Sequence, residues 1–401
     1  MTGDNGDSDG GTSDGREKSS RRRFLATSGV TAVGAVAGCL GGPGASGDSS
    51  SGNGQMNEFD LGSFRGSGPF VSSRPEPSGT SIRDLPSLSG TFGVALGGGE
   101  GGLYIDLFEQ FEEIYPDLTI EHRTAPSTDL ANTIKQEADA DNVQQDIFLS
   151  VDAGSLGFVA DAGATRQMSA EAISSVPSSF KDSDRNWVGV AGRARAVPYN
   201  TNDLSGSDVP STVQEFPEAD ALQGSMGWAP SYGAFQSFIT AMRLIHDDQT
   251  AIQWLEDMQA AGVETYADEF QVSQAVADGD IDAGFANHYY ALRVKAWNDD
   301  PPIELAFTRG DAGALVNVSG AAVLTGADDT EAATDFVRHL LSAEAQEFFA
   351  TRTYAYPMIP GVQPVGDLPT VDELDAPDID LAQLSDRGQT LDVMREAGLS
   401  V

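Results

Sequence analysis

Between residues 91 and 122 the chain carries one pattern that leaves few folds open. Thr91-Phe92-Gly93-Val94-Ala95-Leu96 is a short apolar run with the length of a buried strand. Leu103, Leu107, Phe108, Phe111 and Ile114 then recur at helical spacing, Pro116 ends that helix, and residues 118–122 alternate as a second strand. Two strands joined through a helix lie parallel, and a parallel sheet needs helices to cover its faces. The alternation continues with a helix over 129–138 and a strand over 146–150. Residues 188–199 are extended, and 200–213 read as turn and crossover. A second series follows: a strand at 226–228, helices over 235–245, 251–260 and 272–277, and a strand over 281–286. An apolar strand over 320–324 and one long helix over 330–350 come last. The fold class expected is α/β, two-lobed, each lobe a mixed sheet flanked by helices, with a hinge between them. Residues 90–196 with 318–350 make lobe 1, 197–317 make lobe 2, and 351–401 form a C-terminal segment packing across the lobes. Ligands of open α/β sheets sit beyond the carboxyl ends of strands. That rule puts Asp152, Tyr199 and the residues after Ala286 at one crevice.

The residues before this pattern read as an address and a tether. Arg21-Arg22-Arg23 precede Phe24-Leu25 and a stretch of small apolar residues over 26–38. That stretch falls short of the ~20 residues needed to span a bilayer, so it reads as an export signal. The paired arginines before Phe-Leu resemble a twin-arginine signal. Val36-Ala37-Gly38-Cys39 resembles a lipobox, in which the cysteine takes a diacylglyceryl group. Residues 1–38 are therefore expected to be a twin-arginine lipoprotein signal, with Cys39 the lipidation site. Residues 39–89, rich in Ser and Gly, are expected to be a flexible tether. The protein is then lipid-anchored at the extracellular face of the cell membrane.

Charge narrows the partners. With 61 acidic against 23 basic residues the net charge is −38, which excludes nucleic-acid binding through a general basic face. Only four of the basic residues are lysine (Lys18, Lys135, Lys181, Lys295), and the acids are spread along the chain. Such a surface stays hydrated where salt screens its self-repulsion, the pattern of a halophilic host. Cys39 is the sole cysteine, so no intrachain disulfide and no cysteine cluster for zinc or iron–sulfur is available.

The most informative segment is Asn287-His288-Tyr289-Tyr290, directly after the 281–286 strand. Ferric iron is a hard trication that prefers anionic oxygen ligands, and a bound trication can strip the proton from a phenol whose ordinary pKa is near 10. Bare Tyr-Tyr says little. Its surroundings say more: Gly227-Trp228-Ala229-Pro230-Ser231-Tyr232-Gly233-Ala234-Phe235-Gln236 before a helix, and Gly192-Arg193-Ala194-Arg195-Ala196-Val197-Pro198-Tyr199-Asn200 before the crossover. Gly310-Asp311-Ala312-Gly313 and Tyr354-Ala355-Tyr356-Pro357 follow later. In this order the segments resemble the ferric-iron-binding class of ABC transporter solute-binding proteins, over residues 91–362.

That resemblance implies a type II periplasmic-binding-protein fold that closes on its ligand by hinge motion. It implies Fe3+ as transported ligand, held by Tyr289 and Tyr290, with Tyr199 as a further tyrosine. Arg193 or Arg195 would hold a carbonate-like synergistic anion, since a guanidinium fork suits planar anions. Ser231, Tyr232, Gly233 and Ala234 stand where a helix begins and free N–H groups bind anions; Asn287 could donate to the same anion. The loop after the first strand departs from the class: Gly97-Gly98-Gly99-Glu100 lacks an arginine or aromatic, leaving Glu100, and Asp152 elsewhere, as carboxylate ligands. The partners implied are an ABC permease with its ATPase and the membrane through Cys39, with the protein a monomer. The alternative is a binding protein of the same fold for a polyamine, thiamine, phosphonate or sugar. An enzyme is not expected: there is no G-x-S-x-G, no H-E-x-x-H, and the four histidines show no metal-ligand spacing.

Overall fold

The computed structural model of the chain describes residues 56–72 and 74–401. The expected export signal and Cys39 lie outside the described residues. The expected tether needs correcting over its described part, because residues 56–89 are laid against the folded body. Helix α1 (Leu61–Phe64) sinks the Phe64 ring fully into the core, and Ile82 and Leu88 are buried further on. Arg65 and Arg74 both reach the buried carboxylate of Glu347, at 2.8 Å each, and the Ile82 amide donates to Glu344 at 3.0 Å. The Gly66 amide donates to Thr351 Oγ1 at 2.9 Å. Average composition here is polar, yet three isolated apolar anchors and two guanidiniums suffice, since burying one such apolar side chain is worth ~1.5–3 kcal/mol.

Lobe 1 is built on β1 (Gly90–Gly97), which pairs in parallel with both β2 (Leu118–Ala125) and β3 (Ile147–Ser150). The crossovers are α2 (Ile105–Ile114) and α3 (Ser127–Asp139); α2 buries Leu107, Phe108, Phe111 and Ile114, the stripe visible in the sequence. Helix α4 (Ala153–Asp161) follows β3, and β4 (Thr165–Arg166) a turn later. The longest strand, β5 (Val188–Asn200), then serves both lobes. Over residues 188–194 it pairs antiparallel with β11 (Val316–Leu324), which also pairs antiparallel with β3. From Arg195 on it pairs with three strands of lobe 2: β8 (Ala283–Gly284), β9 (Ala286–Asn287) and β10 (Ile303–Ala306). One strand continuous through two sheets is the element about which lobes can hinge.

Lobe 2 sets β6 (Met226–Trp228) between β7 (Glu264–Thr265) and β8, parallel to both, with α5 (Gly233–Ile245), α6 (Asp248–Ala260), α7 (Glu269–Asp278) and α8 (His288–Trp297) around them. Sheet order is β2-β1-β3-β11-β5-β8-β6-β7. The expected strand over 281–286 is split into β8 and β9. Trp228, Phe235, Phe238, Trp254 and Phe285 form one aromatic cluster under α5, with Phe238 stacked on Phe285 at 5.8 Å. This cluster fixes where α5 begins, and with it the wall of the cleft described below.

The helix expected over 330–350 is two, α9 (Thr330–Leu340) and α10 (Ala343–Phe348). Ser342 leaves helical geometry and its hydroxyl accepts from the Ala345 amide, so a strong N-cap residue restarts the helix. After β12 (Tyr356–Pro357) the chain runs to a 3-10 turn, Leu381–Ser385, and to α11 (Arg387–Glu396). The turn beds on α4: a Cβ on Gly157 would stand 2.4 Å from the Ala382 Cβ, and one on Gly154 2.6 Å from the Ser385 nitrogen, so only glycine lets the chain approach. Helix α11 instead packs on α5, with Thr390 and Thr240 hydroxyls 2.7 Å apart and Arg243 donating to Thr390 at 2.8 Å. The C-terminal segment thus holds lobe 1 with one end and lobe 2 with the other.

Candidate metal and anion centre

A cleft of about 480 Å³ lies between the lobes. Lobe 1 supplies Gly98, Ser127 and Asp152; β5 supplies Arg193 and Arg195; lobe 2 supplies Tyr232, Gly233, Ala234 and Asn287; the C-terminal segment supplies Leu384 and Arg387. In a chain with almost three acids per base, this cleft carries three guanidiniums and one carboxylate on its wall. It is a positive hollow in a negative protein, and low-dielectric walls focus such a field on anions.

Tyr289 and Tyr290 stand in the first turn of α8 and are both buried, directly behind the cleft wall. Their rings are 4.4 Å apart at the centroids, and the Arg293 guanidinium lies over both, 4.9 Å from one centroid and 5.5 Å from the other. The Tyr290 hydroxyl shares a short hydrogen bond with the hydroxyl of Tyr232, and the Tyr289 hydroxyl accepts from the Asn287 amide at 3.1 Å. Three phenols therefore gather where a helix N-terminus and a guanidinium both favour negative charge on oxygen. Asn287 precedes α8 but does not cap it with its side chain; the amide is turned to Tyr289 and accepts weakly from Arg195 Nη1 at 3.4 Å.

Arg195 is 3 % exposed. Its Nη1 is clamped by a short bond to the fully buried carboxylate of Glu269, whose second oxygen accepts from the Asn287 backbone amide at 2.8 Å. Its Nη2 is buried and has no hydrogen-bond partner among the described residues. Opposite it α5 begins at Gly233, and Tyr232, its N-cap, offers no side-chain acceptor to the first turn. The first-turn amides of α5 and the guanidiniums that line the same cleft together suit an oxyanion.

The other expected site residues fall differently. Asp152 lines the cleft, and its carboxylate caps α4, accepting from the Ser155 amide at 2.7 Å and hydroxyl at 3.0 Å. Glu100 lies in the turn Gly99–Tyr104, and its side chain is outside the described residues. Tyr199 is not brought to the cleft: it stands four residues beyond Arg195, roughly 13 Å along the strand, opposite Ala283 and Glu304. Burial first, and Glu304 second, push its phenol above the usual range. Strand-end reasoning misplaces it because β5 does not end at the cleft but runs past it. Ser231 is exposed and does not line the cleft; its carbonyl accepts from Gln236 at 3.3 Å. No cluster of three or more His, Cys, Asp or Glu able to hold a metal exists among the described residues. Glu269, Leu384 and Arg387 were not expected; a buried acid in a chain with 61 acids leaves no signature in a sequence.

His288 turns away from the cleft, its ring nitrogens at the carbonyls of Ala194 (3.3 Å) and Tyr354 (2.8 Å). Burial holds it and the distant His339 neutral, with pKa pushed down to about 4 in each case. The unfolded chain protonates near pH 6.5 and the folded one only near 4, so stability is lost as pH falls through that window. The loss is expected to reach roughly 3 kcal/mol per histidine at pH 4. Chemical denaturation at pH 7 and pH 4.5 checks it: His339→Gln should narrow the gap between the two midpoints, and an unchanged gap would contradict the buried neutral form.

The profile of the bacterial extracellular solute-binding proteins matches residues 106–379. The major ferric iron-binding protein of Neisseria meningitidis is 29 % identical over 290 residues, covering 70 % of this chain and 86 % of the relative. The Fe(3+)-binding periplasmic protein of Serratia marcescens is 27 % identical over 281 residues, 69 % of this chain and 82 % of the relative. The crystal structure of iron-bound HitA from Pseudomonas aeruginosa superposes with a TM-score of 0.65 at 26 % identity, covering 78 % of this chain and all of that one. The two-lobed α/β architecture is thus shared with a solved binding protein.

Proposed function

This chain belongs to the bacterial extracellular solute-binding protein family, and we propose that within it the protein captures ferric iron and delivers it to the permease of an ABC importer. The observation that carries this reading is the gathering of Tyr289, Tyr290 and Tyr232 beside an anion receptacle. Three phenolates balance the charge of Fe3+ without any carboxylate, and hard anionic oxygens are its preferred ligands. Tyr232, expected in the anion loop, thereby becomes the third metal ligand. Arg195, Arg193, Asn287 and the amides of Gly233 and Ala234 then hold a synergistic anion such as carbonate. The relatives named for ferric iron support the same cargo.

The role is binding rather than catalysis. In the open form the phenols face solvent on lobe 2, iron and anion settle there, and lobe 1 closes over them by rotation about β5. The closed shape is what the permease reads. Export by the twin-arginine route, a lipid on Cys39 and a monomeric state complete the reading, and place the protein at the outer face of the membrane. Loading releases phenol protons, so affinity rises with pH.

The test is a ferric iron titration of the full chain in high salt with bicarbonate. One equivalent should produce the visible phenolate-to-iron charge-transfer band. Tyr232→Phe should keep a band but shift it and weaken binding on the order of tenfold or more, as loss of a coordinating or adjacent group does. A folded protein that takes up no colour would sink the iron reading, and organic solutes would then be screened by thermal shift.

A further inference from the structure

We propose that residues 381–385 are a latch: the tip of an excursion from lobe 2 that reaches across the cleft, beds on α4 of lobe 1 and stabilises the closed arrangement of the lobes. The inference rests on the ferric reading for the identity of the cargo, and on the fold alone for the movement.

Three observations carry it. First, the chain enters and leaves this excursion from the same lobe. On the way in, the Asp375 carbonyl accepts from the Gly310 amide at 2.8 Å, beside the Asp311 carboxylate that takes the Val213 amide of lobe 2. On the way out, Arg387 Nη2 donates to Gln236 Oε1 of α5 at 2.8 Å, and Gln389 donates to Asp248 of α6 at 2.6 Å. Gln259 of α6 then donates to the Ala397 carbonyl at 2.8 Å. Both flanks therefore belong to lobe 2, while the tip between them, Leu381–Ser385, lies on α4 of lobe 1. Second, the two attachments differ in kind. Hydrogen bonds fix the flanks, so they move with lobe 2 as one body. The tip meets α4 by close packing, its backbone at Gly154 and Ala382 at Gly157, with Leu381 and Leu384 buried. Apolar packing is non-directional and parts without stranding a buried polar group. Third, α4 gives up helix stability to receive the tip. Glycine in a helix interior is less favourable than alanine, yet α4 turns both Gly154 and Gly157 to the segment.

The contact is made at the cleft itself. Helix α4 starts from Asp152 in the wall of lobe 1, and Leu384 of the tip lines the same hollow. A contact that exists only while the lobes are together adds its free energy to the closed form, so the cargo has less of the closure to supply. The tip also lies beyond the residues 106–379 that match the family profile.

The experiment measures the distance between paired spin labels in the full chain carrying Cys39→Ser. The labels go on Asn132→Cys in α3 of lobe 1 and Gln253→Cys in α6 of lobe 2, both exposed positions. With latch residues intact, the iron-free protein is expected to divide between a short and a long distance. Gly157→Ala, which drives a Cβ into Ala382, should shift that ratio toward the long distance about tenfold, the worth of part of one buried leucine. Adding Ala382→Gly should reverse much of the shift, which a defect inside α4 would not allow. Leu381→Ala, which clashes with nothing, should act in the same direction as Gly157→Ala, and a cooperative melt checks that each variant is folded. From the iron-loaded protein a chelator should take the metal about tenfold faster in Gly157→Ala, with the charge-transfer band in place because no phenol is touched. The proposal is overturned by an iron-free protein with intact latch residues that shows the long distance alone. It is overturned equally by a distribution unchanged in folded Gly157→Ala and Leu381→Ala, or by a shift that Ala382→Gly leaves standing. The ferric reading is judged apart, by the coloured complex in bicarbonate, since the iron-free distances need no metal.

Discussion

Exchanging Tyr289 and Tyr290 together for phenylalanine is expected to abolish the coloured ferric complex and to lower iron affinity at least ~10³-fold. Loss of a single partner behind a metal ligand already costs 10–100-fold, and here two ligand oxygens go. The remaining Tyr232 phenol cannot neutralise a trication alone. The fold should tolerate the change. Both rings remain to fill their buried places, and the bonds forfeited include Tyr290 to Tyr232 and Tyr289 to Asn287. Each neutral hydrogen bond is worth about 0.5–1.5 kcal/mol, so Tm should drop by only a few degrees. Iron titration followed in the visible, beside a thermal melt of the iron-free protein, separates the two effects. Colour surviving in a folded double variant would move the ligand set elsewhere in the cleft, whereas loss of colour with an intact melt fixes it at the start of α8.

Much of this site was legible because its residues are adjacent in sequence. Asn287, Tyr289 and Tyr290 follow one another at the end of a strand, and a sequence reader meets them together. Arg195 was legible for the same reason, through its neighbours on β5. The misreadings are those of long range. Tyr199 was placed at the crevice by a rule about strand ends, but β5 passes through two sheets and the cleft opens beside its middle. Tyr232 was read as an amide-presenting loop residue, since nothing local tells that its hydroxyl meets that of a residue 58 positions away. Residues 56–89 read as tether because composition averages over Phe64, Ile82 and Leu88. Their value lies in what they meet, above all Glu344 and Glu347 on α10. Arg387 and Glu269 carried no signal at all, for a single charge announces its role only once its partner is in place.

Glu269 is where that partner matters most. Glu269→Ala is expected to destabilise the protein by about 3–5 kcal/mol, because it leaves the Arg195 guanidinium buried and uncompensated. Removing both charges differs in kind: with Arg195→Met added, the double variant should recover much of the lost stability, since apolar replacement of a buried pair is often neutral. The anion site should not recover with it. Glu269 accepts from Arg195 and from the Asn287 backbone amide, so it fixes the guanidinium and the turn that starts α8 in one geometry. Denaturant midpoints for the wild type, both single variants and the double variant give the coupling between the two residues, and phosphate titrations on the same four proteins give the function. Stability restored in the double variant with anion binding still absent would establish that the pair is kept for the site it builds. If Glu269→Ala cost less than about 1 kcal/mol, the guanidinium would have found water, and the cleft would be wetter and its anion site less ordered than the buried bonds imply.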